Sequence, residues 1–283
     1  MNIMVLGASG YLGKKICSYL ESAEDHIVRV IRKRDGVREG EKEKVIYADI
    51  AAIKQELERG SYDWVINCAA VYERGGAKLH EVVDANMVFA IQVLDCAVEC
   101  GVKNFLTIDT SLPKELNLYS FTKKQFAEFG DFYAKRYGIT FLNIVLEMFY
   151  GEDEPKDRFL VACCHKMLAG ETLSLTEGRQ ERDFIYIEDV CAAIRLLLNA
   201  NMKGFHNISV GSGCGVSVRK LLEYMHDVLS SESKLDFGAV PLRNNEPNCV
   251  ADISILKGLG FELKYPWKEG IEYFCNKIRQ SIK

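Results

Sequence analysis

Apolar positions in the first half of the chain alternate between two rhythms. Short runs that are apolar on both faces and rich in β-branched residues occur as NIMVL (2–6), HIVRVI (26–31), DWVINC (63–68), NFLTI (104–108) and TFLNIV (140–145). Longer amphipathic segments lie between them, such as YLGKKICSYLES (11–22) and NMVFAIQVLDCAVECG (86–101). Buried strands alternating with helices predict an α/β fold: a Rossmann-type, doubly wound parallel sheet with helices on both faces. After about residue 150 the rhythm changes. GEDEPKDRF (151–159) is polar and turn-rich, and the later strand-like runs TLSL, DFIYI and FHNISV are shorter and irregularly spaced. The expected organisation is a dinucleotide-binding domain over 1–150 and a smaller, mainly substrate-binding C-terminal domain over 151–283. ERDFIYIEDVCAAIRLLL reads strand then helix, so a return to the main sheet is expected near 182–210.

The glycines of GASGYLG follow the first strand and open a helix. Gly7 permits a tight turn, Gly10 lets backbone amides approach a pyrophosphate, and Gly13 allows close helix–sheet packing. The spacing G-x-x-G-x-x-G departs from the G-x-G-x-x-G of ordinary dehydrogenases, and its strand–turn–helix context points to a dinucleotide site that includes Ser9, Tyr11 and Leu12. An NAD site would carry an acidic residue after the second strand. Here Arg32 and Lys33 stand there, charges suited to the extra phosphate of NADP(H), the expected cofactor. Asp49-Ile50 ends the third strand, where a carboxylate can bond an adenine amino group. Cys68-Ala69-Ala70 ends the fourth, where small residues let a ribose lie on the backbone.

Composition narrows the partners. The 283 residues are 48% hydrophobic and carry a net charge of −4, which gives no case for nucleic acid or an anionic membrane. The ten cysteines show no C-x-x-C and no zinc spacing, so reduced thiols, no metal and a cytoplasmic setting are expected. No leader or membrane-length apolar run is visible.

Asn117–Tyr137 has helical character and stops at Gly138. Within it, LYSFTKKQF puts Tyr119 and Lys123 one turn apart on one face. An ammonium beside a phenol favours phenolate and makes Tyr119 a better acid–base group near neutrality, while Lys123 can also bond a nicotinamide ribose. Asp109-Thr110-Ser111, at the end of the fifth strand, brings a hydroxyl to where ligands of such sheets bind.

GASGYLG, NCAA, Asn86, YSFTK, FYG (149–151) and RDFIYIEDV (182–190) together resemble the extended short-chain dehydrogenases/reductases of the nucleotide-sugar epimerase/dehydratase superfamily. The resemblance implies a Thr110–Tyr119–Lys123 triad, with Ser111 the second choice for its hydroxyl, and a bound dinucleotide that also meets Leu146. It implies a nucleotide-sugar substrate held by Ser111, Glu147, Phe149, Arg158, Arg182 and, in PLRNNEP, Arg243. Homodimerisation through the helices near 86–100 and 118–137 is a further family expectation. Sugar dehydratases place Asp-Glu after the catalytic threonine, but Ser111 and Leu112 stand here, so elimination lacks its acid and base. Tyr119 follows Thr110 by only nine positions, a short span for an epimerase. DTSLP, LEMFYG and TEGRQERDFIYI resemble the branch containing CDP-abequose and CDP-paratose synthases. That branch implies NADPH-dependent reduction of a 4-keto deoxyhexose in O-antigen or capsule synthesis. An epimerase retaining its cofactor is the alternative, and a non-catalytic NADP sensor or scaffold is the alternative of another class.

Overall fold

The computed structural model describes residues 1–32, 44–73, 76–241 and 248–282. They form two compact units: 1–146 with 191–208, and 147–190 with 209–283.

In the first unit, β1 (Asn2–Leu6), β2 (His26–Ile31), β3 (Lys44–Tyr47), β4 (Trp64–Asn67), β5 (Asn104–Thr110), β6 (Thr140–Leu146) and β10 (Phe205–Val210) build a seven-stranded sheet. Its order is β10-β6-β5-β4-β1-β2-β3. The pairs from β3 through β6 are parallel. The order reverses between β1 and β4, and in open α/β sheets such a switch point opens a crevice at the strands' carboxyl ends. The expected doubly wound sheet is therefore present.

Helices α1 (Tyr11–Ser22), α2 (Ile50–Arg59), α3 (Leu79–Val83), α4 (Phe89–Glu99) and α5 (Leu118–Tyr137) join these strands. A π-helical turn, Asp84–Val88, leads into α4. Met4, Val65, Val93, Phe105, Phe126 and Phe141 belong to one buried cluster. The Phe105 and Phe141 rings stack at 5.4 Å, and Phe126 meets Phe141 edge-on at 5.7 Å. A Cβ on Gly130 of α5 would lie 2.3 Å from the Phe141 ring, so a glycine inside that helix makes room for the aromatic packing. Truncating Phe126 to alanine there costs about 3–5 kcal/mol.

In the second unit, β7 (Met148–Tyr150), β9 (Glu181–Tyr186) and β11 (Gly215–Ser217) form a three-stranded sheet. A two-stranded sheet pairs β8 (Leu173–Leu175) with β12 (Leu235–Phe237). Helices α6 (Phe159–Leu168), α8 (Val218–Leu229), α9 (Ser254–Gly258) and α10 (Trp267–Ile282) complete it. Asp183, fully buried on β9, accepts from the backbone N–H groups of Ser212, Gly213 and Ala251 and from the Ser212 hydroxyl.

The chain returns to the main sheet within 182–210 through β10, reached by α7 (Ile187–Leu198), while the run DFIYI forms β9 and pairs with β7 and β11. An apolar run buried on both faces fits either sheet, so its composition did not discriminate. The first stretch of the first unit stops at Leu146, a few residues before 150, because β7 already pairs in the small sheet.

Candidate active site

The first strand ends in a turn where a side chain beyond hydrogen will not fit. Gly7 has φ +72°, and a Cβ there would lie 2.7 Å from the Ala69 nitrogen and 2.9 Å from the Cys68 carbonyl carbon. The glycine turn and the end of β4 therefore touch at the switch point. A Cβ on Gly13 would lie 2.3 Å from the Gly7 oxygen, so this glycine keeps α1 against the turn. Gly10 caps α1 with extended backbone and no side-chain cap bond, and the first turn of that helix carries no acidic residue. Backbone N–H groups at a helix start with no carboxylate in the first turn suit a pyrophosphate.

Around this turn, Arg32 is exposed just beyond β2, while Lys33 lies outside the described residues. Asp49 is the N-cap of α2 and accepts from the Ala52 N–H at 3.0 Å, so its carboxylate also starts a helix, a role not anticipated from its strand-end position. Ile50 opens that helix.

The other end of the site is made of side chains. Asn117 caps α5 by accepting from the Ser120 N–H at 2.8 Å, and Gly138 closes it in the left-handed region at φ +70°. The helix starts one residue later than the sequence pattern suggested. Tyr119 and Lys123 sit in its first two turns. Lys123 is 2% exposed. Burial pushes its pKa down to about 8; Asp109 and Cys68 raise it and Lys124 lowers it. An ammonium carried on so buried a stem favours an acceptor held at its head. The ribose hydroxyls of a dinucleotide are such acceptors, and the glycine cradle fits the same group.

Thr110, 9% exposed, ends β5, and its hydroxyl oxygen accepts from the Leu112 N–H at 3.2 Å. Leu146 is its register partner on β6, and the Ser111 N–H donates to the Leu146 carbonyl. The first unit thus holds Thr110, Ser111, Tyr119, Lys123 and the described residues expected around the dinucleotide.

Other residues named from the sequence lie in the second unit. Arg182 on β9 is 8% exposed and donates to the Glu181 carbonyl at 3.1 Å. Arg158 caps α6, donates to Glu154 at 3.2 Å and lies 6.0 Å from the Phe149 ring centroid. Burial raises the Glu154 pKa, against the opposing Arg158. Glu147 is buried. Arg243 lies outside the described residues.

Residues absent from the sequence assignment also build the site. The Tyr72 ring lies 4.4 Å from the Tyr119 ring, tilted by 31°. Its loop is braced from both sides: the Asn86 amide exchanges hydrogen bonds with the backbone of Val71 (2.8 and 2.9 Å) and donates to Thr122, and Glu73 accepts from the Leu118 N–H. Asn86 was noticed as a motif residue without a role. Tyr72 carried only its position, four residues beyond Cys68 in a strand-end loop.

A glycine cradle at a Rossmann switch point, facing a tyrosine–lysine helix, defines a dinucleotide-dependent short-chain dehydrogenase/reductase fold. The chain belongs to the NAD dependent epimerase/dehydratase family, whose model matches residues 3–211. It is 28% identical over 294 residues to CDP-abequose synthase of Salmonella typhimurium, covering 98% of each chain. It is 24% identical to CDP-abequose synthase of Yersinia pseudotuberculosis, covering 87% of this chain and 90% of that one. In fold it is similar to UDP-glucose 4-epimerase of Thermotoga maritima with UDP-glucose, at a TM-score of 0.86 and 18% identity over 100% of both chains. Among the described residues no helix is long and apolar enough to cross a membrane.

Proposed function

We propose that this protein is an NADPH-dependent reductase of the 4-keto group of a nucleotide-linked deoxyhexose, CDP-linked in our reading. The observation that carries it is Lys123, 2% exposed, one turn from Tyr119 on the helix that follows the carboxyl end of β5. The similarity to CDP-abequose synthases along nearly the whole chain supports the choice of substrate. Likeness to the 4-epimerase speaks for the fold alone.

NADPH, when bound, supplies the hydride for C4. Tyr119 gives its proton to the oxygen developing there, and the Thr110 hydroxyl donates to the same oxygen, so charge forms against donors already in place. Lys123 bonds the ribose and holds positive charge near the phenol. Tyr72 screens one side of the Tyr119 ring from water. Arg32 and Lys33 attract the 2′-phosphate of the cofactor. In the second unit, Arg158 and Arg182 carry charge suited to a diphosphate. In α5, Phe121, Phe129, Phe132 and Tyr137 expose 38–56% of their surface, which supports a homodimer built on this helix.

The test is NADPH absorbance at 340 nm with a panel of CDP- and dTDP-linked 4-keto sugars. Stoichiometric consumption fits reduction; sugar inversion without net consumption marks an epimerase instead. Binding without turnover would leave only a sensor.

A further inference from the structure

Lys124, next to the catalytic lysine, takes no part in the chemistry above, and neither does Asp109. The Asp109 side chain is fully buried and accepts from three donors: the Thr110 N–H at 2.7 Å, Asn143 at 2.9 Å and the Lys124 ammonium at 3.0 Å. Lys124 also donates to the Thr110 carbonyl in a short hydrogen bond. Both backbone groups of Thr110 are therefore tied, one to the carboxylate and one to the amine. The amine rises from α5, the helix that carries Tyr119 and Lys123. Asn143 on β6 anchors the carboxylate from behind and donates in turn to Asn207 at 2.7 Å.

We propose that Asp109 and Lys124 are positioning residues that clamp the Thr110 peptide to α5, fixing the threonine hydroxyl relative to the tyrosine–lysine pair. This rests on the reductase reading, in which Thr110 and Tyr119 must bond one oxygen. A displacement of about 1 Å between such groups is enough to cost on the order of 10²-fold in rate. Stability alone gives the pair little reason to exist, since a buried ion pair gains little over apolar side chains of similar volume.

The carboxylate has a second effect. Charged groups facing Lys123 are Asp109, which favours its ammonium, and Lys124, which opposes it; Cys68 on the neighbouring strand end stays a thiol, its pKa raised by burial. Around Lys124 itself stand Lys114, Glu128 and Asp131, with Lys114 paired to Glu128 at 2.6 Å. Removing either member of the clamp therefore moves the Lys123 titration, in opposite directions.

The experiment uses the full chain carrying Lys124→Met, Lys124→Arg or Asp109→Asn. Turnover of NADPH with the 4-keto sugar is measured beside urea unfolding and the pH titration of the ¹⁵N-labelled Lys123 amine, assigned by its absence in Lys123→Met. Lys124→Met lowers kcat by about tenfold or more with KM within about twofold, and Lys124→Arg restores most of it. The Lys123 titration moves down by about one pH unit in Asp109→Asn and up in Lys124→Met. Wild-type kcat in Lys124→Met, or a Lys123 titration unmoved in both variants, overturns the clamp. If Asp109→Asn does not fold, the upward shift in Lys124→Met decides. A wild-type protein inert toward every 4-keto sugar overturns the reductase reading, while the amine titration, which needs no turnover, still judges the clamp.

Discussion

The two ends of the cofactor crevice are built from opposite materials. At the β1–α1 turn the chain works by leaving atoms out: Gly7 and Gly13 sit where a Cβ would lie 2.3–2.7 Å from backbone atoms. At the β5–α5 end it works by crowding charges in. Lys123 is buried, Asp109 is buried beside it, and Lys124 bridges strand to helix. A site made by omission holds phosphate by shape, whatever the pH. One made of buried charge depends on which groups carry protons. The first is suited to a part that only binds, the second to a part that must pass a proton.

The largest effect is expected on the charged side. Tyr119→Phe lowers kcat by about 10²-fold or more, the size of a lost general acid, with NADPH affinity within about twofold by fluorescence titration. Equal losses in kcat and affinity would erase the distinction between the two ends. Gly13→Ala does the reverse: forcing a methyl against the Gly7 carbonyl weakens NADPH binding and destabilises the fold by about 1–3 kcal/mol in urea unfolding. Unchanged affinity would show that the cradle has slack.

Arg32→Ser is expected to weaken NADPH about tenfold and leave NADH nearly unchanged, since only the former has a phosphate for this exposed guanidinium. Equal affinities in the wild type would remove the NADP assignment. The last effect is a pH dependence of stability. The Lys123 pKa lies near 8 when folded and near 10.5 as an ordinary lysine. Between those values the unfolded chain binds more protons, so stability rises with pH across that window, and the cost of burying the ammonium is fully present below pH 8. Lys123→Met lacks this rise. Chemical denaturation at pH 7.5, 9 and 10.5 reads the difference, and parallel curves for the two proteins would mean the amine is better solvated than its burial indicates.

What the sequence disclosed follows the same division. Gly7, Gly10 and Gly13 were legible because a turn and the helix after it are local, and their spacing states which Cβ atoms must be absent. Tyr119 and Lys123 were legible because four residues make one helical turn. Lys124 stood in plain view beside them, but its partner is fifteen residues away on a strand end, and only the folded sheet says that the two meet. Tyr72 was hidden in the same way, since the loop after β4 reaches α5 through Asn86 and Glu73. Which sheet β9 joins was not legible, because an apolar run marks a strand but does not name its neighbours.

In β5, Asp109 and Thr110 are adjacent, so one side chain leaves each face of the sheet. The strand's phase is therefore a heritable trait in its own right. Insertion or loss of one residue between Asn104 and Thr110 would turn the hydroxyl toward Asn143 and the acid toward the crevice. Point changes and loop edits over 111–117 leave this parity intact, so that loop can vary in length while the strand cannot.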